Sequence, residues 1–443
     1  MPHDADRGFA AHIAELRRRA DAALQGGGFD ALAVHSGRPR YAFQDDRPYP
    51  FAVNPHFKHW APVTDAPDCF LQHVPGERPR LCFFQPADYW HSPPVLPPGA
   101  WADAFDITIV RDPAQARAWL GLASRRHAFV GEWQPEFETW GFAAVNPPVV
   151  LARLHYARAI KTAYELDCMR RASTRAARGH RAAREAFHGG ASEFEVHLAY
   201  CAAAESRDDD LPYGNIIAFD EGAAVLHYQQ LDRRRERPRR SFLIDAGAQF
   251  RGYASDITRT WSGGDAEFSG LVDAMDALQQ RLCAGIRAGR DYREVHLEAH
   301  RAIGALLQES GLVRCDADTA VAERVTSVFF PHGIGHLLGL QVHDVAGLAA
   351  DPEGTREIPR PDGHPFLRLT RVLEPGFVVT VEPGLYFIDL LLEQARADGR
   401  GRHIRWDAVE RLKPFGGIRI EDDVACTAGA PENLTRDAFA ALA

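Results

Sequence analysis

Four carboxylates and a histidine, each set in a short apolar frame, are the residues of this chain best suited to chemistry. Asp245 closes the run Phe242-Leu243-Ile244-Asp245, and Asp256 sits in Tyr253-Ala254-Ser255-Asp256-Ile257-Thr258. Their spacing of eleven residues suits neighbouring strands of a hairpin that turns near residues 249–252. His336 ends Pro331-His332-Gly333-Ile334-Gly335-His336, and His343 follows seven residues later. Glu382 lies in Val379-Thr380-Val381-Glu382-Pro383, and Glu421 in Gly417-Ile418-Arg419-Ile420-Glu421. A carboxylate among Val, Ile and Leu is costly to bury unless it is paired or bound to a cation. Arg259 and Arg419 offer the ordinary explanation, an ion pair. Five such residues in order have a more economical one, a site for two divalent cations. Carboxylate-rich ligation with a single imidazole favours hard or borderline ions such as Mn²⁺ over a thiolate zinc site. Two ions about 3.5–4 Å apart can share a hydroxide and polarise a carbonyl or phosphoryl oxygen.

Competing chemistries leave weaker traces. The chain has no GxSxG, HExxH or GxxxxGK[ST] run. Gly26-Gly27-Gly28 precedes an expected strand, whereas a phosphate loop follows a strand and opens a helix. The glycines of residues 333–339 are interleaved with histidines, which suits metal chemistry better than pyrophosphate. Six arginines fill residues 233–240, but Pro238 and the acid excess favour a solvated loop over a nucleic-acid patch.

The elements that must position these residues form two blocks. A length of 443 residues suggests two or three domains, and 46% hydrophobic with 25% charged residues is an ordinary globular composition. The net charge of -9 disfavours a dedicated nucleic-acid binder. Seven scattered cysteines without a CxxC pair read as reduced, buried thiols. Residues 1–7 lack a basic n-region and apolar h-region, and no apolar run is long enough to span a bilayer, so a cytoplasmic location is expected.

In the first block, apolar spacing predicts a helix over residues 9–24, and strands are expected over 29–34, 80–84, 107–110 and 127–130. Residues 41–100 read as surface loop with buried aromatic anchors, including Tyr49, Phe51, Tyr89 and Trp90. From residue 158 the pattern predicts helices over 159–176, 177–187, 193–206, 267–287 and 292–308. Strands are expected over 215–219, 241–245, 252–261, 378–387 and 417–427. Runs of helices and antiparallel hairpins argue an α+β fold rather than a doubly wound sheet.

The ordered acid and histidine set resembles the pita-bread metallopeptidases, the family of methionine aminopeptidase, aminopeptidase P and prolidase. Matched residue by residue, the family's ligands fall on Asp245, Asp256, His336, Glu382 and Glu421. Arg158-Ala159-Ile160-Lys161-Thr162, with Glu165-Leu166 and Met169-Arg170, is similar to the family's entry into its catalytic domain. Asp45-Asp46-Arg47-Pro48-Tyr49-Pro50-Phe51, Val53-Asn54-Pro55-His56-Phe57-Lys58 and Ala87-Asp88-Tyr89-Trp90-His91 resemble the proteobacterial Xaa-Pro dipeptidase branch, which includes organophosphorus acid anhydrolases.

The resemblance implies a creatinase-like α/β domain over residues 1–157 and a catalytic pita-bread domain over 158–443. It implies two Mn²⁺ per subunit, with Co²⁺ or Zn²⁺ as substitutes, and a homodimer without nucleic-acid or membrane partners. Asp256 and Glu421 would bridge the ions, Asp245 would hold one, and His336 with Glu382 the other. Glu382 would assist proton transfer, and His343 would steady the oxyanion. His227, His332 and Arg371 would receive the proline carboxylate, with Arg419 among the substrate-binding residues. Tyr213 and Val342 would line the pocket for the first side chain. Asp46 would reach a partner subunit's active site and bind the substrate's free amine.

The reaction so implied is hydrolysis of Xaa-Pro dipeptides by attack of a metal-bridged hydroxide on the scissile carbonyl, with organophosphorus ester hydrolysis as a side activity. Leu337 departs from the proline common after the ligand histidine, and it leaves the ligand itself intact. Two alternatives stay open: an aminopeptidase P-type enzyme acting on longer peptides, and a non-catalytic pita-bread binding protein.

Overall fold

The computed structural model describes residues 6–442; residues 1–5, the start of the segment read above for a leader pattern, lie outside the described residues. By packing, the chain divides into two compact units. The first comprises residues through Cys168 with Phe250–Tyr253 and Ala349–Glu357. The second comprises Met169–Gln249, Ala254–Leu348 and residues from Ile358 onward.

The first unit opens with α1 (Phe9–Gly27), which buries Phe9, Ile13, Leu16, Ala20, Ala23 and Leu24, the stripe that the spacing predicts. The helix passes through Gly26 and Gly27 and stops at Gly28, whose φ of 68° is left-handed and free of a Cβ penalty. Strand β1 (Ala31–His35) and helix α2 (Pro55–Trp60) follow, the latter capped by the Asn54 side chain. Then come β2 (Phe70–His73), β3 (Arg80–Phe84), β4 (Asp106–Val110), α3 (Pro113–Leu120), β5 (His127–Val130), β6 (Ala144–Val145) and α4 (Pro148–Arg158). The six strands form one mixed sheet in the order β4-β3-β2-β1-β5-β6. Helix α4 was not expected from the sequence; Pro147-Pro148 reads as a break, but Pro148 occupies the first turn, where a missing N–H costs nothing. The aromatic anchors also differ. Tyr89 and Trp90 are 86% and 77% exposed and Tyr49 is exposed, because they stand on loops with their rings in solvent. The buried anchors of that stretch are Phe57, Trp60 and Phe70, which sit on α2 and β2.

Helix α5 (Ala163–His188) is one element where two are expected. Its start is fixed locally: Thr162 N donates to Glu165 Oε2 at 2.8 Å and Glu165 N to Thr162 Oγ1 at 3.4 Å, a reciprocal cap. No breaker separates Ala176 from Ala177, so the helix continues. Next come α6 (Glu193–Ala203), β7 (Ile216–Phe219), β8 (Ser241–Asp245), β9 (Gln249–Phe250), β10 (Tyr253–Ala254) and β11 (Thr258–Ser262). Strands β11, β8 and β7 form an antiparallel sheet in that order, with Thr258 opposite Asp245.

Helices α7 (Ala266–Ala284), α8 (Tyr292–Glu309), α9 (Ala317–Ala322) and α10 (Thr326–Phe329) lead to β12 (Val378–Val381) and β13 (Gly384–Tyr386). The chain ends with α11 (Asp389–Ala397), α12 (Trp406–Leu412), β14 (Gly417–Arg419), β15 (Asp422–Ala425), β16 (Glu432–Asn433) and α13 (Leu434–Ala440). Strands β12 and β13 pair antiparallel with β15 and β14. The arginine-rich segment is a loop whose charges are paired within the second unit: Arg234 with Asp232, Arg235 with Glu195 and Arg237 with Glu193. The seven cysteines are free thiols, and six of them are buried.

Candidate metal centre

The strand ends of the second unit deliver the four carboxylates to one place. Asp245 is the last residue of β8, Asp256 lies two residues before β11, Glu382 joins β12 to β13, and Glu421 joins β14 to β15. Glu421 forms a bridge opposite Thr258, and Thr258 donates its hydroxyl to Glu421 Oε2 at 2.6 Å. His336 is set from the other side, where its backbone N donates to Thr380 Oγ1 of β12 at 3.1 Å. Gly335 makes that approach possible: its φ is 157°, and a Cβ there would collide with Thr380 O and Tyr292 Oη.

All five line a cavity of about 410 Å³. One ligand atom each from Asp256, His336 and Glu421 lies within 4.8 Å of the others. His336 Nε2 stands 3.5 Å from Asp256 Oδ2 and 3.8 Å from Glu382 Oε1, while its Nδ1 faces Leu337 O at 3.0 Å. A backbone acceptor at Nδ1 fixes the tautomer that leaves Nε2 as a ligand atom. Tyr213 Oη lies 2.7 Å from Asp245 Oδ1 and 2.6 Å from Asp256 Oδ1, so one hydroxyl proton serves two carboxylates.

The electrostatics fit cations. Burial raises Asp245, against the opposing charge of Arg419. Burial, then Asp256, Glu382 and Asp245, push Glu421 well above the carboxylate range, and burial pushes Glu382 up to about 7. Burial acts the same way on Asp256 but is outweighed by the His336 imidazole, so Asp256 stays low. Four carboxylates thus crowd a buried space, with Arg419 and His336 as the cationic groups in contact with them, and two divalent ions would offset the mutual repulsion. The donor set, mostly oxygen with one imidazole, matches that role.

The other expected residues divide. His227, His332, His343 and Arg419 line the same cavity. His332 Nε2 lies 2.9 Å from Tyr386 Oη, and the His343 ring meets His336 edge-on at 4.4 Å. Tyr213 donates to Asp245 and Asp256 and is not among the residues that line the cavity. Val342 and Arg371 are not among the cavity's lining residues. Arg371 is buried, donates to Glu374 Oε1 at 2.9 Å and lies over the Phe377 ring. Arg360 and Arg368 line the cavity in its place. Asp46 is an exposed turn residue of the first unit.

Three contributors escape the sequence reading. Asp423 accepts the Asp256 backbone N at 3.0 Å, Thr258 anchors Glu421, and Tyr386 joins His332 to Arg419 Nη1 at 2.9 Å. Only Asp423 leaves a signal: it follows Glu421 at strand spacing, two residues on.

Comparison with known proteins places this geometry. Residues 7–156 match the family described as Xaa-Pro dipeptidase, N-terminal domain, and residues 167–428 match metallopeptidase family M24. The Xaa-Pro dipeptidase of Xanthomonas axonopodis pv. citri is 53% identical over 434 residues, 98% of each chain. That of Stenotrophomonas maltophilia strain K279a is 52% identical over 98% of this chain and 97% of its own. Among solved structures, the aminopeptidase PepP of Pseudomonas aeruginosa superposes with a TM-score of 0.72 at 25% identity, covering 97% of this chain and 98% of that one. Proline aminopeptidase P II from Yersinia pestis gives 0.71 at 24% identity over 97% and 100%.

Proposed function

Since the chain belongs to metallopeptidase family M24, with a smaller N-terminal α/β domain followed in sequence by an α+β pita-bread catalytic domain, we propose that it hydrolyses Xaa-Pro dipeptides. The observation that carries this reading is the convergence of Asp245, Asp256, His336, Glu382 and Glu421 on a cavity also lined by His227, His332, Arg360 and Arg368. At about 410 Å³ the cavity sits toward the small end of ligand pockets, which span about 300–1,000 Å³.

Asp256 and Glu421 would be shared between the two ions, Asp245 would hold one, and His336 with Glu382 would hold the other. Two Mn²⁺ fit this set best, with Co²⁺ or Zn²⁺ as substitutes. When bound, such ions supply an activated water and Lewis-acid polarisation of the scissile carbonyl. Glu382 takes a proton from the attacking water and returns it to the leaving proline nitrogen. His343 donates to the developing oxyanion. Arg360 and Arg368 supply the positive charge that receives the terminal carboxylate, and the His227 and His332 rings line the same end. Asp46 of a second copy, in a homodimer, binds the free amine. A substrate with a charge at each end fits this frame, and a longer peptide leaves the positive end unmatched. A tetrahedral phosphorus centre mimics the tetrahedral intermediate, so slow organophosphorus ester hydrolysis belongs to the same reading. Among the described residues no helix is long and apolar enough to cross a membrane, and a cytoplasmic location is part of the proposal.

The test compares Leu-Pro with a tripeptide that extends it by one residue. The dipeptide is expected to be the better substrate by kcat/KM. Faster removal of leucine from the tripeptide would assign the aminopeptidase P reaction instead.

A further inference from the structure

Helix α8 carries His296 and His300 four residues apart, on the same face, and both are 1% exposed. His364 meets them from the segment between Ile358 and Thr370 and is half-buried. One ring nitrogen of each lies within 4.8 Å of the others, and the three ring centroids are 4.5, 4.6 and 4.7 Å apart. His296 Nε2 and His364 Nδ1 are 2.9 Å apart, and His300 Nδ1 lies 2.8 Å from Thr326 Oγ1. His296 Nδ1 and His300 Nε2 are buried without a hydrogen-bond partner. Leaving a buried polar atom unsatisfied costs about 1–3 kcal/mol, and His300 Nε2 is the one that an ion shared with His296 Nε2 and His364 Nδ1 would satisfy. The Phe330 ring, 4.9 Å from His300 and 6.1 Å from His296, covers the cluster with carbon.

We propose that His296, His300 and His364 bind one divalent cation of the zinc type, at a site separate from the carboxylate centre. Burial, reinforced by the neighbouring imidazoles, pushes His296 down to about 2 and His300 to about 3, so both rings are neutral and keep a lone pair for a metal. A donor set of three imidazoles with no carboxylate selects Zn²⁺, Co²⁺ or Ni²⁺ over Mn²⁺. Metal–nitrogen bonds of about 2.0–2.1 Å in a tetrahedron separate the nitrogens by about 3.3 Å, so the 2.9 Å contact opens by only a few tenths. Thr326 steadies the His300 ring as an outer-shell oxygen. The exposed edge of His364 leaves the fourth position to water.

The site has a consequence for the cavity. His364 lies in the segment whose Arg360, Pro365, Phe366 and Arg368 line it. A bound ion ties that segment to α8 and fixes the positive side of the substrate site. Its loss should raise KM for Leu-Pro about tenfold while kcat changes less than about twofold.

The experiment uses the full-length protein with the carboxylate centre disabled by Asp245→Asn and Glu421→Gln. After equilibration with Zn²⁺ and dialysis, one tightly held ion per chain is expected, lost on adding His364→Gln. A single equivalent of Co²⁺ should give the intense visible absorption of a tetrahedral, nitrogen-rich site. No retained zinc, or zinc that survives both His364→Gln and His300→Asn, overturns the proposal. If those variants fail to fold, absence of the tetrahedral Co²⁺ band in the carboxylate-disabled protein overturns it equally. Failure of the carboxylate centre would read out separately, as equal ion counts in the native and carboxylate-disabled chains.

Discussion

Arg419 Nη2 stands 2.7 Å from Asp245 Oδ2, so the arginine that closes β14 neutralises the carboxylate that closes β8. The same guanidinium reaches Tyr386 Oη and Thr258 Oγ1. Arg419→Ala strips three contacts from the centre and should lower kcat/KM roughly 100-fold. Arg419→Lys keeps the charge but not the fork, and should recover only part of that loss. A lysine variant with native turnover would show that the charge alone matters.

Tyr213 bridges Asp245 and Asp256 through one hydroxyl. Tyr213→Phe removes an outer-shell bond from two ligands at once. Metal affinity should fall about 10- to 100-fold, measured by titration of the metal-free protein, with thermal stability nearly unchanged. Native affinity would mean that the bridge does not orient the ligands.

Asp256 sits at the middle of the set, with His336, Tyr213 and Asp423 all directed at it. Asp256→Asn keeps its size and removes its charge. Activity should drop at least about 100-fold and metal content should fall with it. An Asn variant with near-normal turnover and metal content would remove Asp256 from the ligand set.

His12, in the first unit, carries a pH dependence of stability. Its Nε2 lies 2.8 Å from His59 O and its Nδ1 2.9 Å from Thr162 Oγ1. Burial lowers it to about 4, against the raising effect of Glu165. The folded value is below the unfolded one, so the unfolded chain takes up the proton first. The contribution is therefore full above about pH 6.5 and is lost as pH falls toward 4, at about 1.4 kcal/mol per unit, or about 2 kcal/mol by pH 5. Thermal midpoints recorded from pH 7.5 to 4.5 should fall more steeply in the native chain than in His12→Asn. Equal slopes would contradict this assignment.

The sequence exposed the centre because each of the four carboxylates ends a strand or follows one, where a carboxylate in an apolar frame stands out. Its limits are equally physical. Arg371 has the right type and neighbourhood, and its contacts with Glu374 and Phe377 depend on a turn that spacing does not give. Arg360 and Arg368 lie on an irregular segment with no periodicity to read. The contact of Tyr213 with two carboxylates depends on a register between β8 and β11 that spacing alone does not give. Short helices such as α9, α10 and α12 span few turns and carry no pattern strong enough to predict.

The most direct measurement follows Leu-Pro hydrolysis through removal and return of divalent cations on one sample, with metal content read at each stage. Turnover should vanish with the cations and return when Mn²⁺ refills the carboxylate centre. Unchanged turnover in protein shown to be free of metal would contradict the account.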